Sequence, residues 1–126
     1  MKSYYLLFFC SLIALCSTSK TESPEKEIIH TVVFTLKHEK GSSAAIEFLE
    51  TAHLFLTGID VVRDFTIRDQ ISPKSDFQYG FYMVFTDMEA YTTYNNHPDH
   101  IKFVNEYWEK QVVDFQELDF KVIEVD

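Results

Sequence analysis

The feature that most limits the possible folds of this chain is a strand that is apolar on both faces. Residues 78–86 are aromatic almost throughout, which favours an extended conformation. Alternation places two sets of large side chains on opposite faces: Tyr79, Phe81, Met83 and Phe85, then Tyr82 and Val84. A strand of this kind has to be covered on both sides. Because this short chain has nothing left to cover the second face, we expect a partner subunit and a homodimer.

The remaining elements predict one layer of helices on one sheet. The Gly41-Ser42-Ser43 segment offers an N-cap for a first helix, Gly58 is placed to end that helix, and Pro98 to start the last one. The pattern predicts strands over residues 28–37, 61–69, 78–86 and 112–125. It predicts one helix between the 41–43 break and Gly58, a second that Asp87 caps and that ends at about residue 96, and a third from residue 98 to about 111. This order, β-α-β-β-α-β, is that of a ferredoxin-like α+β subunit. The last strand is long enough that we expect it to reach beyond its own sheet.

The first 19 residues are predicted to be a signal peptide. Lys2 precedes an apolar run from Tyr4 to Cys16, and small residues follow at positions 17–19. The residues that end at Cys16 resemble a bacterial lipobox, although Leu15 stands where that pattern has a small residue. We therefore expect export, either as a periplasmic or cell-envelope lipoprotein with lipid on Cys16 or as a secreted protein. If Cys16 is lipidated, this lipid is the means by which we expect the protein to contact a membrane.

Residues 20–27 are polar and charged and include a proline, so they are predicted to be a linker, and residues 28–126 form the single domain. Both cysteines, Cys10 and Cys16, lie in the predicted signal peptide. The mature domain therefore has no thiol for a disulfide, a nucleophile or a metal site. The formal net charge of −9 also argues against nucleic acid as a partner, since an acidic surface repels phosphates.

A bend from Tyr94 to His100 carries the strongest candidates for chemistry. Pro98 keeps His97 out of the helical region, so one helix ends before it and another begins after it. A fixed and partly solvated imidazole suits acid–base chemistry. We predict His100 as a base and Tyr94 as a hydrogen-bond donor to an enolate oxygen, with His30 orienting them.

His30 shares its predicted strand face with three large apolar residues, which indicates either a core histidine or one that lines a cavity. The candidates for ligand contacts are Tyr79, Phe81, His97 and Trp108. Three imidazoles can hold zinc, but His30, His97 and His100 lack the spacing of one turn on a continuous helix. We therefore expect no metal, and separately we expect no organic cofactor.

Several stretches resemble the stress-responsive A/B barrel (Dabb) domain family. They are residues 29–37, 79–85, 91–104, which contain the His-Pro-x-His segment, and 113–115. The resemblance implies a ferredoxin-like subunit whose sheet packs against that of a second copy to form an α+β barrel. It also implies a cavity between sheet and helices.

A plant branch of this family cyclises a linear polyketide with His and Tyr side chains and without a cofactor. His30, Tyr94, His97 and His100 match the polar cavity and bend residues of the family. Tyr79 stands where the family often has His, and Ala52 where the cyclase branch has Tyr, and both departures argue against that activity.

The sequence is compatible with three functions. The first is an exported dimeric barrel that binds a small apolar or aromatic ligand, with no reaction established. The second is a cofactor-independent acid–base enzyme, similar to a polyketide cyclase, that uses His and Tyr. The third is a cofactor-free monooxygenase, which shares the dimeric barrel architecture. If His30 and His100 are both accessible from one cavity, the acid–base enzyme is favoured over a barrel that only binds a ligand.

Overall fold

The computed structural model describes residues 26–126. The predicted signal peptide, the lipidation residue Cys16 and most of the predicted linker lie outside these residues. The elements in chain order are β1 (Ile28–Leu36), α1 (Ser43–Thr57), β2 (Arg63–Asp69), β3 (Tyr79–Phe85), α2 (Met88–Asn96), α3 (Pro98–Phe103) and β4 (Val112–Phe120). Between α3 and β4 the helix continues through a π-helical turn, Val104–Trp108, and a last α-helical turn, Glu109–Gln111. Within residues 26–126, no helix is both long and apolar enough to cross a membrane.

The four strands form one antiparallel sheet in the order β2-β3-β1-β4. This topology and the element order confirm the predicted ferredoxin-like α+β fold. Along β1, buried and half-buried residues alternate, and the buried set begins at Ile28 and includes His30. The helices cover this side of the sheet, where the core is rich in aromatic rings: Phe34, Phe48, Phe81 and Phe85 are fully buried.

The helix ends follow the predicted capping residues. The Ser42 side chain accepts a hydrogen bond from the Ala45 N–H at the start of α1. Asp87 caps α2 in the same way, and α1 ends at Thr57, before Gly58. Because local capping chemistry decides these ends, sequence patterns predict them well.

Two strand boundaries differ from the prediction by more than one residue. β4 ends at Phe120 rather than continuing to residue 125. Phe120 pairs with Ile29, close to where β1 begins, so β4 has no further strand to pair with. β2 begins at Arg63 instead of residue 61, and its register with β3 shifts between Arg63 and Thr66, where Asp64 has a φ of 53°.

Candidate functional site

A cavity of about 330 Å³ lies between the covered face of the sheet and the helices that follow Tyr94. Its inner part is apolar and is formed by buried side chains that include Leu56, Phe81 and Phe103. Three polar residues from separate elements reach it: His30 from β1, Tyr94 from α2 and His100 from α3. The fold therefore brings the three predicted catalytic residues to one cavity.

His30 is held in place by a carboxylate from the neighbouring strand. Its Nδ1 lies 2.6 Å from Oδ1 of Asp119, and the whole residue is only 3% exposed. The two residues face each other directly in the pairing of β1 with β4. Because Nδ1 is taken by Asp119, the ring nitrogen left for a bound molecule is Nε2.

Tyr91 completes this arrangement from α2. Its hydroxyl donates to Oδ2 of Asp119 at 2.9 Å and lies 3.3 Å from Nδ1 of His30. Burial, followed by the hydrogen bond to Asp119, raises the pKa of Tyr91 to about 12. The phenol therefore stays protonated at neutral pH, and one carboxylate holds both His30 and Tyr91.

His100 carries its free lone pair on Nε2. Its Nδ1 lies 3.2 Å from the backbone oxygen of Asn95, and since a carbonyl oxygen only accepts, Nδ1 carries the proton. Burial lowers the pKa of His100, although the same hydrogen bond opposes this shift. At neutral pH His100 is therefore an uncharged imidazole whose basic nitrogen is Nε2.

The Tyr94 ring packs against that of His100, with 4.2 Å between ring centroids. Tyr94 is 3% exposed, and its hydroxyl makes no hydrogen bond with any residue in the described part of the chain. Within residues 26–126, every side-chain N or O that is fully shielded from solvent has a hydrogen-bond partner. Because the Tyr94 hydroxyl has no such partner, it is not fully shielded and is open to the cavity. Burial and then the negative charge of Glu117 raise the pKa of Tyr94, which keeps it a donor.

The family model of the stress-responsive A/B barrel domain (Dabb) matches residues 28–122. The chain belongs to this family. Among solved structures it is similar to a Dabb protein with a ferredoxin-like fold from Mesorhizobium loti MAFF303099, with 45% sequence identity and a TM-score of 0.77. That match covers 79% of this chain and 100% of the other.

More distant structures share the fold of this Dabb domain. One is a hydroxynitrile lyase from Passiflora edulis, with 13% identity, a TM-score of 0.70 and coverage of 82% of this chain and 99% of the other. Another is a dimeric protein of unknown function from Bacteroides fragilis NCTC 9343, with 15% identity, a TM-score of 0.60 and coverage of 76% and 96%. No curated protein matches the chain in sequence.

Two of the four predicted ligand-contact residues line the cavity of the Dabb domain. Phe81 contributes from β3 and Trp108 from the π-helical turn, together with Val104. An additional residue within a helical turn changes the direction of the side chains that follow, and such turns occur often at functional sites. The π-helical turn thus accounts for the position of Val104 and Trp108 in the cavity wall.

The other two predicted contacts, His97 and Tyr79, lie outside this cavity. His97 caps α3, where its Nδ1 accepts from the Asp99 N–H at 3.1 Å. The Tyr79 hydroxyl accepts from the Gly41 N–H at 2.8 Å, and its ring is buried against Phe34. Both residues have structural partners in the fold.

Sequence reasoning did not single out Tyr91, Glu117 or Asp119 as site residues. Glu117 lines the cavity, and Asp119 and Tyr91 hold His30. The available signal was that Glu117 and Asp119, two acidic residues, stand two positions apart in the predicted last strand and therefore share one face. Within residues 26–126, no group of three or more His, Cys, Asp or Glu side chains is arranged to hold a metal ion.

Proposed function

We propose that this Dabb domain binds a small aromatic or otherwise apolar molecule in the cavity between sheet and helices. The observation that carries the proposal is a cavity of about 330 Å³ with ring-lined walls into which His30, Tyr94 and His100 converge. Small-molecule sites are commonly concave, mostly apolar and equipped with a few polar groups, with volumes of roughly 300–1,000 Å³. The cavity has each of these properties and suits a ligand at the small end of that range.

The single tryptophan of the chain gives a direct test, because Trp108 lines the cavity. We expect 2-acetylnaphthalene to quench its fluorescence saturably. Val104→Phe should abolish this response by filling the cavity, whereas Val125→Phe, at an exposed position, should not change it. Quenching that does not saturate, or that is equal in the two variants, would contradict binding in this cavity.

A second function, proton transfer, is favoured by the state of the two imidazoles. His100 presents the lone pair of Nε2, because its Nδ1 donates to a backbone carbonyl. This nitrogen is suited to take a proton from the carbon next to a carbonyl group, and the Tyr94 hydroxyl to donate a hydrogen bond to the enolate oxygen that forms. His30 would hold the ligand through Nε2, with Asp119 fixing its ring.

Enolisation can be tested without knowing the natural substrate. The methyl protons of 2-acetylnaphthalene exchange with D₂O only through the enol or enolate, and proton NMR measures the rate. We expect the protein to accelerate this exchange, His100→Gln to remove most of the acceleration, and His53→Gln, at an exposed helix position, to retain it. Equal rates for the protein and for His100→Gln would refute the catalytic role.

We also propose that the functional unit is a homodimer that packs through the uncovered face of the sheet. This face carries apolar side chains: Ile29, Val33, Tyr82, Leu118 and Phe120. The Bacteroides fragilis relative is described as dimeric. Val33→Lys should convert the dimer to a monomer in light scattering, whereas Ile71→Lys, in an exposed loop, should not. A monomeric parent protein would contradict this proposal.

Export remains a proposal that rests on the sequence of residues 1–19. When the full chain is expressed in a bacterial host, we expect it in the cell envelope with a processed N-terminus. If Cys16 is lipidated, mass spectrometry will find the acylated residue, and Cys16→Ser will release the protein from the membrane fraction. An unprocessed N-terminus in the cytoplasm would contradict export.

A further inference from the structure

The cavity has an acidic opening, and the basic side chains that line it from residues 26–126 are the imidazoles of His30 and His100. Glu109 and Glu117 both line it and are exposed, and within residues 26–126 no Lys or Arg contributes to its lining. The two carboxylates come from different elements, the last helical turn and β4. They flank the opening together with Phe115, whose ring is half exposed.

The apolar and the acidic residues of the cavity differ in their access to solvent. Leu56, Phe81 and Phe103 are buried, whereas Glu109 and Glu117 are exposed to solvent. Because apolar surface gains most from burial, a ligand will enter with its ring system first. Its polar end will then lie near the two carboxylates.

The charge of Glu117 acts inside the cavity as well as at its opening. After burial, this carboxylate is the largest influence that raises the pKa of Tyr94, and it also raises the pKa of His100 against the effect of burial. A group that interacts with two residues of the cavity wall will interact with a charge on a bound ligand in the same way. The formal net charge of the chain, −9, has the same sign.

We propose that this cavity takes aromatic ligands that are neutral or carry a protonated amine, and that it discriminates against aromatic carboxylates. This inference rests on the proposed binding function and specifies its ligand class. A like charge within several ångströms of each carboxylate at a solvated opening weakens binding roughly three- to tenfold. An ammonium group at the same place strengthens binding by a similar factor.

Three probes with the same ring system test the selectivity: 2-acetylnaphthalene, 2-naphthylmethylamine and 2-naphthoate. Each is titrated against Trp108 fluorescence at pH 7 and low ionic strength. We expect the naphthoate to bind at least about threefold more weakly than the ketone, and the amine at least as tightly. The difference should shrink in high salt, because dissolved ions screen charges at an exposed opening.

Glu117→Gln identifies the source of the selectivity. It should tighten naphthoate binding about threefold, weaken amine binding by a similar factor and leave the ketone unchanged. Glu106→Gln removes a carboxylate from the same region of the chain that is exposed and outside the cavity, so it should change none of the three affinities.

Naphthoate binding as tight as ketone binding in the parent protein, or equal affinities in the Glu117→Gln and Glu106→Gln variants, would overturn the inference and leave the binding function intact. Failure of all three probes to bind would instead overturn the binding function itself and, with it, the selectivity.

Discussion

The contact between His30 and Asp119 should be a measurable source of stability. Asp119 accepts from the His30 ring across a distance of 2.6 Å and from the Tyr91 hydroxyl across 2.9 Å. Asp119→Asn keeps the size of the side chain but removes its charge. Both hydrogen bonds then lose their charge-assisted character, and His30 stays buried beside a weaker acceptor.

The expected loss follows from this geometry. A hydrogen bond to a charged group contributes about 1.5–3 kcal/mol when it is well shielded from water. The Asp119 side chain is 41% exposed, which screens its charge and reduces this contribution. For the two bonds together we expect Asp119→Asn to lower the free energy of unfolding by about 1–2 kcal/mol.

Urea unfolding at pH 7.5, followed by Trp108 fluorescence, measures this loss. Asp114→Asn is the matched control, because Asp114 is an exposed residue of the same strand. The effects of Asp119→Asn and Tyr91→Phe should be clearly non-additive, since both act on the same carboxylate. If Asp119→Asn and Asp114→Asn agree within about 0.5 kcal/mol, the proposed stabilisation of His30 is refuted.

Three further predictions concern single side chains. Because burial lowers the pKa of His100 in the folded chain, the unfolded chain binds the proton more tightly, and the free energy of unfolding should fall as pH drops below about 6.5. His100→Gln should reduce this fall in urea titrations, and His53→Gln should not. The pKa of Tyr91 is raised from 10.0 to about 12, so the free energy of unfolding should also fall as pH rises from 10 to 12, where the unfolded chain loses the phenol proton first. Tyr91→Phe should reduce that loss. Since His97 caps α3 outside the cavity, His97→Ala should cost about 1 kcal/mol on unfolding and leave the affinity for 2-acetylnaphthalene unchanged, and a weakened affinity would argue for a role in binding.

An aromatic ketone is compatible with both the proposed charge selectivity and the proposed proton transfer. It has a ring system for the apolar part of the cavity and a carbonyl group whose neighbouring carbon can lose a proton. Proton loss creates negative charge on the carbonyl oxygen, which the acidic opening disfavours unless a donor compensates for it. The Tyr94 hydroxyl, which has no other hydrogen-bond partner among residues 26–126, is suited to that task.

Local sequence patterns determined most of the fold. The capping residue Ser42, the proline at the start of α3 and the alternation in β1 act within one turn or one strand, so they can be read without knowledge of distant residues. The same alternation placed His30 on the covered face of the sheet. The resemblance of the His-Pro-x-His segment to the Dabb family then pointed to His30, Tyr94 and His100, which line the cavity, but also to His97, which does not.

Only the tertiary structure decided which residues surround His30. In β4, the covered face carries Phe115, Glu117 and Asp119, and the other face carries Gln116, Leu118 and Phe120. Because both faces mix apolar and polar residues, alternation could not tell which one faces the helices. The pairing of β4 with β1 decided it and brought Asp119 to His30 across 89 residues of sequence. Strand register depends on the packing of the whole sheet, and a shift by one residue would have turned both carboxylates away from the cavity.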